Sequence, residues 1–192
     1  TQASANGIRT VIFSSELFHS RLTHPEEITA LKALLSPYFD SIRVLIYLRR
    51  QDELAVSLYS TRLKYCENDA GYFNEQDPHS AFFNYSILLH LWAEVFGHSN
   101  INARVFSKTK LLQGDLIYDA CQQLGINSQH LSASPAHNPS LNQHGQVFLA
   151  RFNQHVPFYQ QDKLNPARFG VIEAMEQLFS GPAGRPDRAS AI

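Results

Sequence analysis

Residues 42–48, reading Ile-Arg-Val-Leu-Ile-Tyr-Leu, constrain the fold more than any other stretch. The run is apolar and β-branched almost without a break. A strand covered on both faces has this composition, and parallel sheets are built of such strands. A parallel neighbour cannot be reached by a tight hairpin and needs a crossover, most often a helix. Residues 52–64 follow at once, rich in helix formers and free of Gly and Pro, with Asp52 as the expected N-cap. Strand, short polar turn and helix in succession make the unit that presents a helix N-terminus to anions.

The rest of the chain alternates in the same way. Residues 9–13 (RTVIF) read as a short buried strand that ends in the polar turn Ser14-Ser15-Glu16. Residues 25–39 read as a helix. Thr23 or His24 can cap it, Pro25 suits its first turn, and Ile28, Leu31, Leu34 and Leu35 make its apolar face. Residues 85–96 form an amphipathic helix that Gly97 stops, 101–106 a strand, and 115–124 a helix that Gly125 ends. Residues 143–155 and 166–179 read as closing helices, while 67–80 and 132–142 read as loops. The expected fold class is α/β, a three-layer arrangement with a mostly parallel sheet and helices on both faces. Residues 1–180 are expected to make one domain, and 181–192 a flexible tail with little to bury. Three strands are few for such a sheet, so a further N-terminal strand is expected outside this sequence.

The formal net charge is −1 over 192 residues, which gives no global attraction to nucleic acid or to an anionic membrane. Any anion site must be local. The two cysteines, Cys66 and Cys121, have no metal-like spacing. They read as reduced thiols, and cytoplasmic location is the corresponding expectation. No apolar run approaches the roughly 20 residues of a membrane span, and no signal peptide is recognisable. No metal is expected.

Arg49 leaves the C-terminal end of the 42–48 strand, where open α/β sheets bind ligands. Ser57 falls in the second turn of the next helix. An arginine fork and a hydroxyl so placed can both reach one phosphate, the arginine through charge-assisted, bidentate bonds. The competing reading is structural: Arg49 and Arg50 pair with Asp52, Glu53 or another surface acid. His19 reads either as a proton acceptor or as a structural polar group. Glu16 reads either as a functional acid or as a carboxylate at a helix start. Asn138 and Ser140 reach a ligand or make an Asn-Pro-Ser turn. Arg104 reads as the partner of an acid, and Trp92 with Phe82 and Phe83 as packing residues.

The stretch 47–60, with Arg49, Glu53 and Ser57, resembles the 3′-phosphate-binding motif of sulfotransferases that use 3′-phosphoadenosine-5′-phosphosulfate (PAPS). Residues 11–16 (VIFSSE) are similar to the strand and Ser-Ser-Glu turn of bacterial sulfotransferase-like proteins. Residues 85–106, 114–126 (GDLIYDACQQLGI) and 138–142 (NPSLN) are similar to later elements of the same family, in the same order. The resemblance implies a P-loop-type fold, PAPS as cofactor and 3′,5′-bisphosphoadenosine as product. It implies that Arg49 and Ser57 hold the 3′-phosphate, with Asn138 and Ser140 near the nucleotide. It also implies a hydroxylated acceptor, a carbohydrate or glycan, and a base in the region of Glu16, with His19 as second candidate. Such a base removes the acceptor's proton as the oxygen attacks sulfur, and partial burial of a carboxylate favours that role. The family's glycine-rich phosphate loop, with its Lys and Ser/Thr, has no counterpart in this sequence. Two alternatives therefore stand beside the transferase: a nucleotide or small-molecule kinase of the same fold, and a non-catalytic interaction domain. Acceptor contacts are expected from the 67–80 and 132–142 loops.

Overall fold

The computed structural model describes residues 10–65, 77–128, 131 and 140–181. These residues build a mixed α/β protein with seven α-helices, a parallel two-stranded sheet and a small antiparallel hairpin. They fall into two compact units. The first draws on the ranges Thr1–Leu48 and Asp77–Ser128, the second on Arg49–Gln76 and Gln129–Ile192.

The first unit holds α1 (Leu17–Arg21), α2 (Pro25–Leu35), β1 (Val44–Leu48), α4 (Tyr85–Phe96), β2 (Ile101–Val105) and α5 (Leu116–Leu124). β1 and β2 pair in parallel, from Val44 opposite Ile101 to Leu48 opposite Val105, as the apolar 42–48 run requires of a strand with a crossover. α4 lies between them in sequence. Asn84 caps it by accepting the Ile87 N–H, and Gly97 ends it at φ 91°, a value that favours glycine. Strand side chains alternate between faces. Val44, Ile46 and Leu48 therefore join Ile101 on one face, against the core of Ile28, Leu88, Trp92 and Phe96 from α2 and α4. Tyr47 and Arg104 sit opposite one another and both bond Asp119 of α5.

Two expectations for this unit are corrected. Residues 10–13, the described part of the expected 9–13 strand, join no sheet, and Val11, Ile12 and Phe13 are 41%, 51% and 55% exposed. An apolar run becomes a strand only where a neighbour pairs its backbone, and these residues have no ladder partner among the described ones. Phe13 instead sets its ring edge-on to Phe39, centroids 6.0 Å apart. α2 stops at Leu35 rather than Phe39, because Pro37 has no N–H to continue the ladder, and Leu34 is exposed. At the other end His24 is the N-cap residue, but the carboxylate of Glu27 does the capping. It accepts the backbone N–H of Thr23 at 2.8 Å and of His24 at 3.1 Å.

The second unit holds α3 (Gln51–Lys64), α6 (Gln143–His155), the hairpin β3 (Tyr159–Gln160) and β4 (Lys163–Leu164), and α7 (Val171–Phe179). Tyr59 and Leu63 of α3 pack with Leu141, Leu149 of α6 and Met175 of α7. Polar groups lock the same helices. Lys64 pairs with Glu176 at 2.6 Å, and Asn153 donates to the Leu63 carbonyl. Arg168 donates to Asn153 Oδ1 and the Val156 carbonyl, with its guanidinium over the rings of Phe152 and Phe158. Here too the sequence expectation is corrected at two points. α3 begins at Gln51 with Arg50 as N-cap, so Asp52 lies inside the first turn. The helix expected at 166–179 is a short 3-10 turn, Pro166–Arg168, then Gly170 at φ 78°, then α7, because the left-handed residue breaks the ladder. Of the expected tail only Gly181 lies among the described residues.

Candidate functional site

Between the end of β1 at Leu48 and the start of α3 at Gln51 stand only Arg49 and Arg50. Arg49 Nε is 3.3 Å from Glu53 Oε2, one helical turn on. Arg50 grips Asp52 in a bidentate pair, Nη2 to Oδ2 at 2.9 Å and Nε to Oδ1 at 3.2 Å, with Glu53 Oε1 at 3.9 Å. The acids occupy the first turn of α3, where the helix dipole favours negative charge. The structural pairing weighed for Arg49 and Arg50 is thus present. Partly exposed pairs of this kind hold by no more than about 1 kcal/mol, against about 1.5–3 kcal/mol for a hydrogen bond to a charged group. Ser57 is half-buried in the second turn, and its carbonyl accepts the Thr61 hydroxyl at 3.2 Å.

Glu16 is the N-cap residue of α1, and its carbonyl accepts the N–H of His19 and of Ser20. Its side chain is exposed, so the partial burial expected of a base at this position is not there. His19 is half-buried. Its ring lies flat on Phe82, with centroids 4.4 Å apart and planes 12° apart, and its Nε2 is 2.9 Å from the Phe82 carbonyl. A carbonyl only accepts, so Nε2 carries the hydrogen and Nδ1 is the basic atom. Burial holds the imidazole below its ordinary value, partly offset by the bond to Phe82. Ser140 is half-buried and gives its carbonyl to the Gly181 N–H, beside a Leu141 N–H that donates to Ser60 Oγ. Asn138 lies outside the described residues. Glu16 and His19 belong to the first unit, and Arg49, Ser57 and Ser140 to the second.

Arg104 pairs with an acid, as its place in the strand suggested, but sequence alone did not identify that acid as Asp119. Asp119 is fully buried and accepts Arg104 Nε and Nη2, each at 2.6 Å, the Tyr47 hydroxyl at 2.6 Å and the Leu112 N–H at 2.9 Å. The Arg104 bonds chiefly hold its carboxyl down to about 2. Burial, then the bond to Asp119, pushes the Tyr47 phenol up to about 12. The signal available in the sequence was the spacing of Tyr47 and Arg104 in their strands, which puts them side by side in parallel register.

An open pocket of about 320 Å³ also lies in the second unit, lined by Lys64, Phe158, Leu164, Arg168, Phe169 and Ile172 among others. α3 separates it from Arg49, since 14 helical residues run about 21 Å and Lys64 is the last of them. It does not belong with the arginine–serine pair.

The fold and these residues define a mixed α/β protein with a cationic turn between a parallel strand and a helix. No family model matches the chain, and no curated protein and no solved structure matches it. Among the described residues no helix is long and apolar enough to cross a membrane.

Proposed function

We propose that this chain is part of a sulfotransferase that moves the sulfuryl group of PAPS to a hydroxyl acceptor, a carbohydrate or glycan. The observation that carries the reading is the placing of Arg49 directly after a parallel strand and of Ser57 in the second turn of the helix that follows. That is the order in which the resembling family binds a nucleotide 3′-phosphate. In this reading Arg49 turns from Glu53 to the phosphate, which a weak exposed pair permits. Ser57 adds a neutral donor, and Ser140 with Asn138 borders the nucleotide. Glu16, with His19 beside it on α1, takes the acceptor's proton as the bond from oxygen to sulfur forms and the sulfur–phosphate oxygen bond breaks.

Isothermal titration of the full-length protein with 3′,5′-bisphosphoadenosine tests this. Binding at least about tenfold tighter than that of 5′-adenosine monophosphate is expected, since one charge-assisted bond supplies that much. Equal affinities, or no heat at millimolar nucleotide, would overturn the reading. The ion pairs of Arg49 and Arg50 favour one rival, a non-catalytic domain in which the arginines only stabilise α3. It expects the bisphosphate to be ignored. A kinase of the same fold expects ATP with Mg²⁺ to bind and the 3′-phosphate to make no difference.

A further inference from the structure

α1 is five residues long, has no side-chain cap bond and buries no residue fully. The segment before it is exposed from Thr10 to Glu16. Phe13 meets Phe39, and three side chains of α1 and its C-cap hold to the rest of the first unit. Phe18 and Leu22 pack on the Ile28–Leu88–Trp92–Phe96 core, and His19 makes the polar contact. The His19 ring rests face to face on Phe82, tilts against Tyr85 with centroids 6.3 Å apart, and donates Nε2–H to the Phe82 carbonyl. The contact therefore joins α1 to residues 82–85, sixty-three positions on from His19 to Phe82.

Among the described residues, the elements that carry this contact and α2, which shares their core, hold several ionisable groups. They are Glu16 and Arg21 on α1, Glu26, Glu27 and Lys32 on α2, Asp77 and His79 in the turn before Phe82, and Tyr85, His90 and Glu94 on α4. The imidazole's hydrogen bond is to the Phe82 carbonyl. Glu27 caps α2, Lys32 donates to the Val95 carbonyl, and His90 pairs with Glu94. Among the described residues no carboxylate forms an ion pair with the ring, which is half-buried against two aromatic rings.

We propose that His19 is a proton-operated latch, which holds α1 against residues 82–85 when neutral and loosens it when protonated at Nδ1. Adding the proton breaks no hydrogen bond, because Nε2–H still donates. It places a charge in a partly desolvated aromatic setting, and that cost is relieved when the ring swings into water. The direction of the imidazole's shift, downward through burial, agrees with this geometry. The neutral ring is preferred in the docked state. Docking is therefore complete above the ordinary histidine value of 6.5 and weakens as pH falls below it. For each full unit of depression the docking constant falls about tenfold. An imidazolium over the face of Phe82 also gains a cation–π attraction, which acts the other way, so the sign of the measured shift decides between the two. If Glu16 is the base of the transfer reaction, the latch also sets its position. That consequence alone rests on the functional reading above.

The test is a pH titration of the full-length protein by proton–nitrogen NMR, without nucleotide, so that its outcome is separate from that of the bisphosphate titration. The His19 ring is expected to titrate below the ordinary value. The amide signals of residues 17–22 and 82–85 should shift with the same midpoint, and the protection of α1 amides against exchange, relative to the intrinsic rate at each pH, should fall at the acid end. In His19→Phe, which keeps a stacking ring, the protection of α1 should lose its acid step while the protein stays folded. A His19 ring that titrates above the ordinary value, or α1 protection that falls equally with pH in His19→Phe, overturns the latch.

Discussion

Tyr47 and Asp119 stand 72 residues apart in the chain and meet through an O–H···O bond of 2.6 Å. With Arg104 they join β1, β2 and α5 around one fully buried carboxylate. Every acceptor direction of Asp119 is used, so loss of its charge leaves a half-buried guanidinium fork and a phenol without their partner.

The pH dependence of the first unit follows from this cluster. An unfolded aspartate titrates near 3.8, while Arg104 holds the folded Asp119 down to about 2. The unfolded state takes up the proton first, so this stabilisation is complete above pH 3.8 and is lost as pH falls toward 2. For Tyr47 the sign is opposite. Its folded value of about 12 lies above the ordinary 10.0, so its contribution is complete below pH 10.0 and is lost as pH rises toward 12. Urea unfolding across both limbs should show Asp119→Asn without the acid slope and Tyr47→Phe with a reduced alkaline one. Asp119→Asn should lower Tm at neutral pH more than Glu53→Gln, whose lost pair is exposed.

Gly145 opens the first turn of α6 so close to its neighbours that a Cβ there would stand 2.8 Å from Phe179 Cβ and 3.3 Å from Leu141 Cβ. Gly145→Ala gains helix propensity but forces α6 and α7 apart. Overpacking should win, with a net loss of about 1–3 kcal/mol in chemical denaturation.

The β3–β4 hairpin turns through Gln161 at φ 51° and Asp162 at φ 60°, neither a glycine. The two left-handed residues between paired strands make the mirror-image turn that Asn-Gly prefers. Gln161→Asn with Asp162→Gly should therefore stabilise the protein by about 1 kcal/mol, read as a higher Tm with unchanged circular dichroism.

Arg49 and Glu53 compete in any account of anion binding. Arg49→Ala should abolish a preference for 3′,5′-bisphosphoadenosine over 5′-adenosine monophosphate. Glu53→Gln should tighten bisphosphate binding about twofold, the worth of a weak exposed pair. Both are read by isothermal titration.

Local chemistry was legible where one residue type decided it. The helix at Tyr85–Phe96 has an Asn cap and a Gly stop at its ends, and Gln143–His155 agrees with its expected bounds, because caps and apolar spacing act within a few residues. The continuous apolar run around Val44–Leu48 announced a parallel strand, and it is one. The run at 10–13 carried the same composition and joined no sheet, because a strand is completed by a partner that its own residues do not specify. Arg168 was unreadable for a similar reason. Its acceptors Asn153 and Val156 and its flanking rings Phe152 and Phe158 come together only when α6 folds beside the following segment.

The sequence by itself determined the longer helices in outline, the parallel strand and the cationic turn at Arg49 and Arg50, since each depends on neighbours within a helical turn or on strand periodicity. Tertiary structure decided the rest. It gave Asp119 to both Tyr47 and Arg104, and laid His19 on Phe82. Those choices turn on which charges are desolvated together, and desolvation is set by contacts between residues far apart in the chain.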